Sequence, residues 1–252
     1  MGKGAQVVYR IGAFAALVVI WQLIYMSGIV EGHLLPSPAR VFSTFTQLLS
    51  SGKLGGHIAA STQRVLIGVI IGVTAAIPVG FVLGWYRGVR AFLDSLINFF
   101  RALPPIALVP LVVVYLGIGE SARLTVLVYA SFFSAVVVVF EGITAIEPLY
   151  VKAARVLGAT EREVFFRVLL PLSLPHILTA FRVALGVSWA TLVAAELVAA
   201  QTGLGAMIQD ASNFFQIPTI FVGIILIGLL ALLMDAVLRW VIARFVSWRE
   251  TM

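Results

Sequence analysis

The 252-residue sequence contains no cysteine and only three histidines. The absence of cysteine excludes a disulfide framework and any metal site built from thiolates. The histidines, His33, His57 and His176, are scattered along the chain, which is not the spacing of a metal-binding cluster. We therefore assign no metal ligands to this chain.

Charged side chains are also scarce. Asp, Glu, Lys and Arg make up 11% of the residues, whereas an average soluble protein has about a quarter. Hydrophobic residues make up 61%, and the mean hydropathy is +1.08. The apolar residues form runs of roughly 20 residues, the length that crosses a bilayer as an α-helix. This composition predicts an all-α polytopic membrane protein.

Several motifs of enzymes and carriers are missing from the sequence. There is no G-x-x-x-x-G-K-[ST] phosphate-binding loop, so we do not expect the chain to bind ATP itself. No Ser-His-Asp or His-Glu-x-x-His constellation occurs, and no catalytic residue is assigned. No inverted repeat of short, broken helices is visible, although secondary transporters often have one. An enzyme is disfavoured, and an ion-coupled carrier remains an alternative.

Six apolar segments are long enough to be membrane spans. The first, from Ile11 to about Met26, is interpreted as an uncleaved span because it is longer than a signal-peptide core and lacks a cleavage site. A short amphipathic helix is predicted over 39–49. The later spans are predicted at about 58–86, between Arg90 and Gly117, and at about 121–143, 173–200 and 218–245.

The positively charged residues indicate the orientation of the spans. If the N-terminus is cytoplasmic, twelve Lys and Arg residues fall on that side, and four fall on the other: Arg40, Lys53, Arg64 and Arg123. The positive-inside rule therefore predicts cytoplasmic termini. The same count places the polar segment 147–175 in the cytoplasm.

Segment 147–175 is predicted to form two short amphipathic helices joined by glycine. Gly158 stands where a helix C-terminus favours positive φ, and Thr160 with Glu163 forms a capping box that restarts the helix. Pro171 and Pro175 discourage simple continuation of the second helix. The apolar stripes of the two helices are Leu149, Ala153, Val156 and Leu157, then Val164, Phe165, Val168 and Leu169.

A compact unit of this kind has two physical interpretations. Its apolar anchors could dock in a groove of a partner protein. Alternatively, it could lie on lipid headgroups, with its basic residues facing anionic lipid.

Polar residues and prolines inside the spans are candidates for a transport path. Pro104 and Pro105 interrupt the third span, and broken backbone at membrane depth is tolerated against protein or a water-filled cavity. Arg182 could attract an anion, pair with an acid from another helix, or extend to the interface. Further candidates, for which packing or pairing is the alternative, are Ser188, Trp189, Thr191 and Glu196.

Two other features have simple structural explanations. Asp235 in the sixth span has Arg239 four residues on, which suggests an intrahelical ion pair. In the second span, the pairs Gly68–Gly72 and Gly80–Gly84 allow neighbouring helices to approach closely.

Segment 147–175 resembles the EAA loop of binding-protein-dependent ABC importer permeases. The matching residues are Lys152-Ala153-Ala154, Gly158 and Leu169-Leu170-Pro171, with Lys152 standing where the family name expects Glu. Segments 102–122 and 184–205 are similar to taurine and aliphatic-sulfonate permeases. The resemblance extends from about residue 34 to 250.

The resemblance implies a single permease domain over 1–252 with the six-helix fold of type I ABC importers, in a bacterial inner membrane. It implies a homodimer with the translocation path between its copies, two ATPase subunits that bind ATP and Mg, an extracytoplasmic binding protein, and no nucleic acid. The implied coupling residues are Ala153, Ala154, Arg155, Gly158, Ala159 and Glu161.

The expected cargo is a small organic anion, with taurine or another sulfonate favoured. Nitrate, an aromatic carboxylate or a pyrimidine precursor would suit the same importer class. The alternative from a different class is an ion-coupled secondary carrier that cycles protons through Glu196 or Asp235.

Overall fold

The structure is a computed structural model that describes residues 3–32 and 34–245. Within these residues every regular element is helical. The elements are α1 (Lys3–Ser27), α2 (Pro38–Ser50), α3 (Lys53–Trp85), α4 (Arg87–Ala102), α5 (Pro105–Leu116), α6 (Glu120–Thr144), α7 (Pro148–Val156), α8 (Glu161–Val164), a π-helical turn (Phe165–Leu169), α9 (Leu170–Ala199), α10 (Leu204–Asn213) and α11 (Ile217–Phe245).

Among the described residues, four stretches are long and apolar enough to cross a membrane: α3, α6, the helical stretch Glu161–Leu197, and α11. The pair α4 and α5 passes the same criteria together, with a 90° bend between its halves. Helix α1 contributes a shorter apolar stretch, Gly12–Ser27. Four of the six expected spans, or five with the bent pair, are therefore long and apolar enough, and the first expected span corresponds to the shorter helix α1.

The core is built from α3, α6 and α9. Glycines on α3 let α6 approach closely: a Cβ atom added to Gly68 would lie 2.6 Å from the Cβ of Leu127, and one added to Gly72 would lie 2.5 Å from the Cβ of Ser131. Gly80 and Gly84 face α6 in the same way. This arrangement confirms that the small residues of the second span serve helix packing.

The third span is broken, as the prolines predict. Pro104 and Pro105 have no N–H group, so the carbonyls of Phe100 and Arg101 lose the donors that a continuing helix would supply. The Tyr129 hydroxyl of α6 donates a hydrogen bond to the Phe100 carbonyl. The chain then turns by 90° into α5.

The second short helix of segment 147–175 continues past Pro171 and Pro175, but it does so by changing its hydrogen-bond register rather than by simple continuation. Helix α8 continues through the π-helical turn directly into α9. At the end of that turn, the N–H of Leu170 donates to the carbonyl of Phe165, five residues earlier. Pro171 then occupies the start of α9, where the wider turn ahead of it accommodates a residue that cannot donate.

Candidate functional site

Helix α7 ends in a glycine cap. The N–H of Gly158 donates to the carbonyl of Arg155 at 3.0 Å, and the N–H of Ala159 donates to the carbonyl of Ala154 at 3.0 Å. Gly158 has φ of +85°. These two bonds and the positive φ make a Schellman motif. The predicted role of Gly158 as a helix C-terminus is therefore confirmed.

The capping box that restarts the chain is also present. The Thr160 hydroxyl accepts from the N–H of Glu163 at 3.3 Å, and the Glu163 carboxylate accepts from the N–H of Thr160 at 3.0 Å. Two adjoining caps leave only four residues, 157–160, between α7 and α8. The turn is consequently short and well defined.

Arg155 connects the two sides of this turn. Its guanidinium pairs with the carboxylate of Glu161 at 3.0 Å and lies 5.9 Å from the ring centroid of Trp85, at the end of α3. Both charged side chains are at least half exposed, so the pair by itself stabilises the fold by at most about 1 kcal/mol. Its effect is to orient α7 relative to α3 and α8.

The apolar residues of α7 are not covered by the rest of the chain. Val156 and Leu157 are each 87% exposed, and Leu149 is 62% exposed. We call these three residues the α7 surface. A separate cavity of about 590 Å³ lies between the end of α3 and the stretch 161–170, and Trp85, which lines it, is the ring that Arg155 contacts.

Arg182 pairs with an acid from another helix. Its Nε atom donates to Asp235 Oδ1 of α11 at 2.9 Å. Asp235 also pairs with Arg239 four residues on, as predicted. The sequence suggested an acid from another helix as one possible partner of Arg182, and separately a pair of Asp235 with Arg239. In the structure all three side chains form one cluster of two arginines and one aspartate.

Glu196 lies at the centre of a buried network. Its carboxylate accepts from Arg64 Nη1 at 2.6 Å, from the hydroxyl of Ser61 at 2.8 Å and from the N–H of Gly205 at 2.8 Å. Arg64 also pairs with Glu120, with 2.8 Å between Nε and Oε2. Glu196 is 1% exposed, so no open path reaches it in this conformation.

The remaining candidates of the fifth span are buried too. Ser188 shares a 2.7 Å hydrogen bond with Ser131 of α6, and Trp189 and Thr191 are less than 7% exposed. These residues join α9 to its neighbours within one copy of the chain. Pro104 and Pro105 lie apart from them, at the bend between α4 and α5.

The pairing of Arg64 with both Glu196 and Glu120 was not predicted from the sequence. Residue 64 is 132 positions from residue 196, and no local pattern links them. The only signal was that each places a charge within or beside an apolar segment, where charges are usually paired. In the described part of the chain, no group of three His, Asp or Glu side chains could hold a metal ion.

The sequence of this chain matches a known protein family and several of its members. Residues 68–247 match the family described as "Binding-protein-dependent transport system inner membrane component". A probable ABC transporter permease of Brucella abortus (strain 2308) is 44% identical over 94% of this chain and 94% of its own length. The taurine transport system permease protein TauC of Escherichia coli (strain K12) is 35% identical, covering 96% of this chain and 90% of its own length.

A more distant relative and a solved structure agree with these matches. The nitrate import permease protein NrtB of Synechocystis is 30% identical over 95% of this chain and 86% of its own length. The inward-facing MetNI methionine ABC transporter superposes with a TM-score of 0.63 at 21% identity, covering 75% of this chain and 95% of its own. That likeness supports the fold alone. The chain therefore belongs to the family of inner membrane permease components of binding-protein-dependent ABC importers.

Proposed function

We propose that two copies of this chain form the translocation path of an ATP-driven importer, and that an ATPase subunit docks on the α7 surface of each copy. The observation that supports docking is the exposure of Val156 and Leu157 on a helix whose end is held by a Schellman cap. An apolar anchor on a rigid short helix suits a groove in a partner, because little conformational freedom is lost on binding.

ATP and Mg would bind to the partner ATPase, since this sequence has no phosphate-binding loop. The termini and the α7 surface would face the cytoplasm, where ATP is available. A substrate-binding protein would deliver cargo from the opposite side. Among the coupling residues, Gly158 and Ala159 form the cap, and Arg155 and Glu161 orient it.

The continuity of α8, the π-helical turn and α9 suggests how coupling would work. A displacement of α7 by the ATPase would move α8, to which the short turn ties it. Because α8 continues into α9 without a flexible joint, the movement would pass along a span whose far end carries Glu196 and its partners. Closure of the ATPases would thus reach the opposite membrane face through one helix.

The proposed cargo is a small organic anion, with a sulfonate such as taurine favoured. Relatives named as taurine, aliphatic sulfonate and nitrate permeases support this class. An aromatic carboxylate or a pyrimidine precursor stays an alternative within the same mechanism. A proton-cycling carrier finds less support, because Glu196 and Asp235, its candidate acids, each have an arginine partner.

The test is co-purification of the full chain from its native membrane, followed by taurine uptake in proteoliposomes with the binding protein present. We expect an ATPase in equal amount. The Leu157→Asp variant should lose the ATPase because a charge enters the apolar contact, whereas Lys53→Asp, an exposed charge reversal at the beginning of α3 on the opposite side of the membrane, should retain it. Recovery of a chain without ATPase that transports under an ion gradient would refute the proposal.

A further inference from the structure

The arginines within the spans differ in their partners. Four of them pair with carboxylates: Arg64, Arg123, Arg182 and Arg239. Arg101, in the last turn of α4, has no carboxylate within 4.0 Å among residues 3–32 and 34–245. A charge in a span without a counter-charge usually faces water or a ligand.

The end of α4 lies deep within the thickness of the helix bundle. Phe100, next to Arg101, is bonded through its carbonyl to Tyr129 of α6. Tyr129 is nine residues from the beginning of α6 and fifteen from its end, which correspond to about 13.5 Å and about 22.5 Å along the axis. Arg101 is therefore far from both ends of a spanning helix.

Helix α4 has two distinct faces. Phe92, Leu96 and Phe99 form an exposed apolar face suited to lipid. The polar residues recur at steps of four, four and three, so they share one face of the helix: Arg90, Asp94, Asn98 and Arg101. Such a polar face is unfavourable in lipid, and it requires water or protein opposite it.

A cavity of about 180 Å³ lies between this polar face and α6. Asn98 and Arg101 line it from α4 together with Arg90 and Asp94, and α6 contributes two valines and the carboxylate of Glu141. Its charged side chains are thus two arginines and two acids. Its volume equals that of about six water molecules. A small organic ion of a few non-hydrogen atoms fits a space of this size.

We propose that this cavity is a cargo subsite, in which the guanidinium of Arg101 and the amide of Asn98 bind the anionic oxygens of a sulfonate or carboxylate. The planar guanidinium can donate two parallel hydrogen bonds to such a group. The Asp94 carboxylate, already within 3.2 Å of the Asn98 amide, would receive the ammonium of a zwitterionic cargo. This inference rests on the proposed function, that the chain carries a small anion.

Arg90 lines the other end of the same cavity. Its guanidinium lies 4.5 Å from the ring centroid of Phe140, and it is about 16.5 Å from Arg101 along the helix axis. The two arginines cannot bind one small anion together. Arg90 instead provides a second cationic position, nearer the beginning of α4.

Single cysteines test the location of the subsite directly, because the natural chain has none. The Arg101→Cys variant, in the complete transporter, should react with a water-soluble thiosulfonate, and saturating taurine should slow the reaction. The matched Phe99→Cys variant, on the apolar face, should not react, since thiols are modified as thiolates in water. Unreactive Arg101→Cys and Asn98→Cys variants would overturn the proposal.

Uptake measurements distinguish a cargo-binding role of Arg101 from a structural role. Arg101→Gln should raise the KM for taurine about tenfold or more, the effect of losing one charge-assisted hydrogen bond. Aminoethyl thiosulfonate, which restores a positive charge to Arg101→Cys, should recover uptake, whereas the sulfonatoethyl reagent should not.

Different results would refute the proposed function and the proposed cargo subsite. If the unaltered chain is recovered without an ATPase subunit and transports under an ion gradient, the proposed function fails, whatever the labelling shows. If the unaltered complex transports taurine while Arg101→Gln keeps the original KM, or taurine leaves the labelling rate of Arg101→Cys unchanged, the subsite is wrong and the proposed function stands.

Discussion

Arg64 and Glu196 form a buried ion pair between α3 and α9, with 2.6 Å between Nη1 and Oε1. The Arg64 side chain is 5% exposed and that of Glu196 is fully buried. The same carboxylate holds the N–H of Gly205 at the beginning of α10. One carboxylate thus fastens two spanning helices and the loop that follows α9.

Removal of this carboxylate should destabilise the protein strongly. In Glu196→Ala, Arg64 stays buried with only Glu120 as a carboxylate partner, and loss of one member of a buried pair costs about 3–5 kcal/mol. Thermal unfolding of the purified chain in detergent would measure the loss. The control is Asp210→Ala, an exposed acid on α10, which should unfold at the original temperature. Equal stability of the two variants would contradict a structural role for the network.

The close contact between α3 and α6 leaves no room for a methyl group at Gly72, so Gly72→Ala should destabilise the protein. A Cβ atom on Gly72 would lie 2.8 Å from the carbonyl oxygen of Val128, and backbone at that distance cannot move away cheaply. We expect Gly72→Ala to cost about 1–3 kcal/mol by overpacking. Gly55→Ala in the same helix meets open space and should be neutral or stabilising. The denaturation midpoints of the two variants provide the comparison, and identical midpoints would refute the close approach.

Gly158→Val should uncouple the ATPase from transport. The residue has φ of +85°, where a β-branched side chain is strained and the cap would open. We expect Gly158→Asn, which tolerates this backbone region, to keep most of the activity. The measurement is taurine-stimulated ATP hydrolysis together with uptake in proteoliposomes. Normal coupling in Gly158→Val would argue against a role for the cap.

Arg182 and Asp235 should behave as a coupled pair. Because Arg239 also contacts Asp235, Arg182→Ala leaves the carboxylate one partner, and its effect on stability should be smaller than that of Glu196→Ala. A double-mutant cycle with Asp235→Ala should be non-additive. We also expect Arg182→Ala to slow taurine uptake less than Arg101→Gln does. A larger transport defect in Arg182→Ala, persisting in the Asp235→Ala background, would instead place Arg182 on the path.

Much of the local structure could be predicted because its causes are local. The cap at Gly158, the capping box at Thr160 and the break at Pro104 each depend on hydrogen bonds between residues at most five apart. The π-helical turn before Pro171 is also local, but it was not predicted. A proline reveals that a donor is missing, and it does not reveal that the chain will shift its hydrogen-bond register to continue the helix.

The sequence alone determined three things: that this chain is a helical membrane protein, at which prolines a span is broken, and which short turn lies between two spans. Composition and short-range spacing carry that information. Only the tertiary structure decided which buried charges are neutralised. Arg182 finds Asp235 53 residues away, and Arg101 finds no carboxylate in the described chain, because the rotation and depth of each packed helix determine which side chains meet. No spacing along the chain encodes those two quantities.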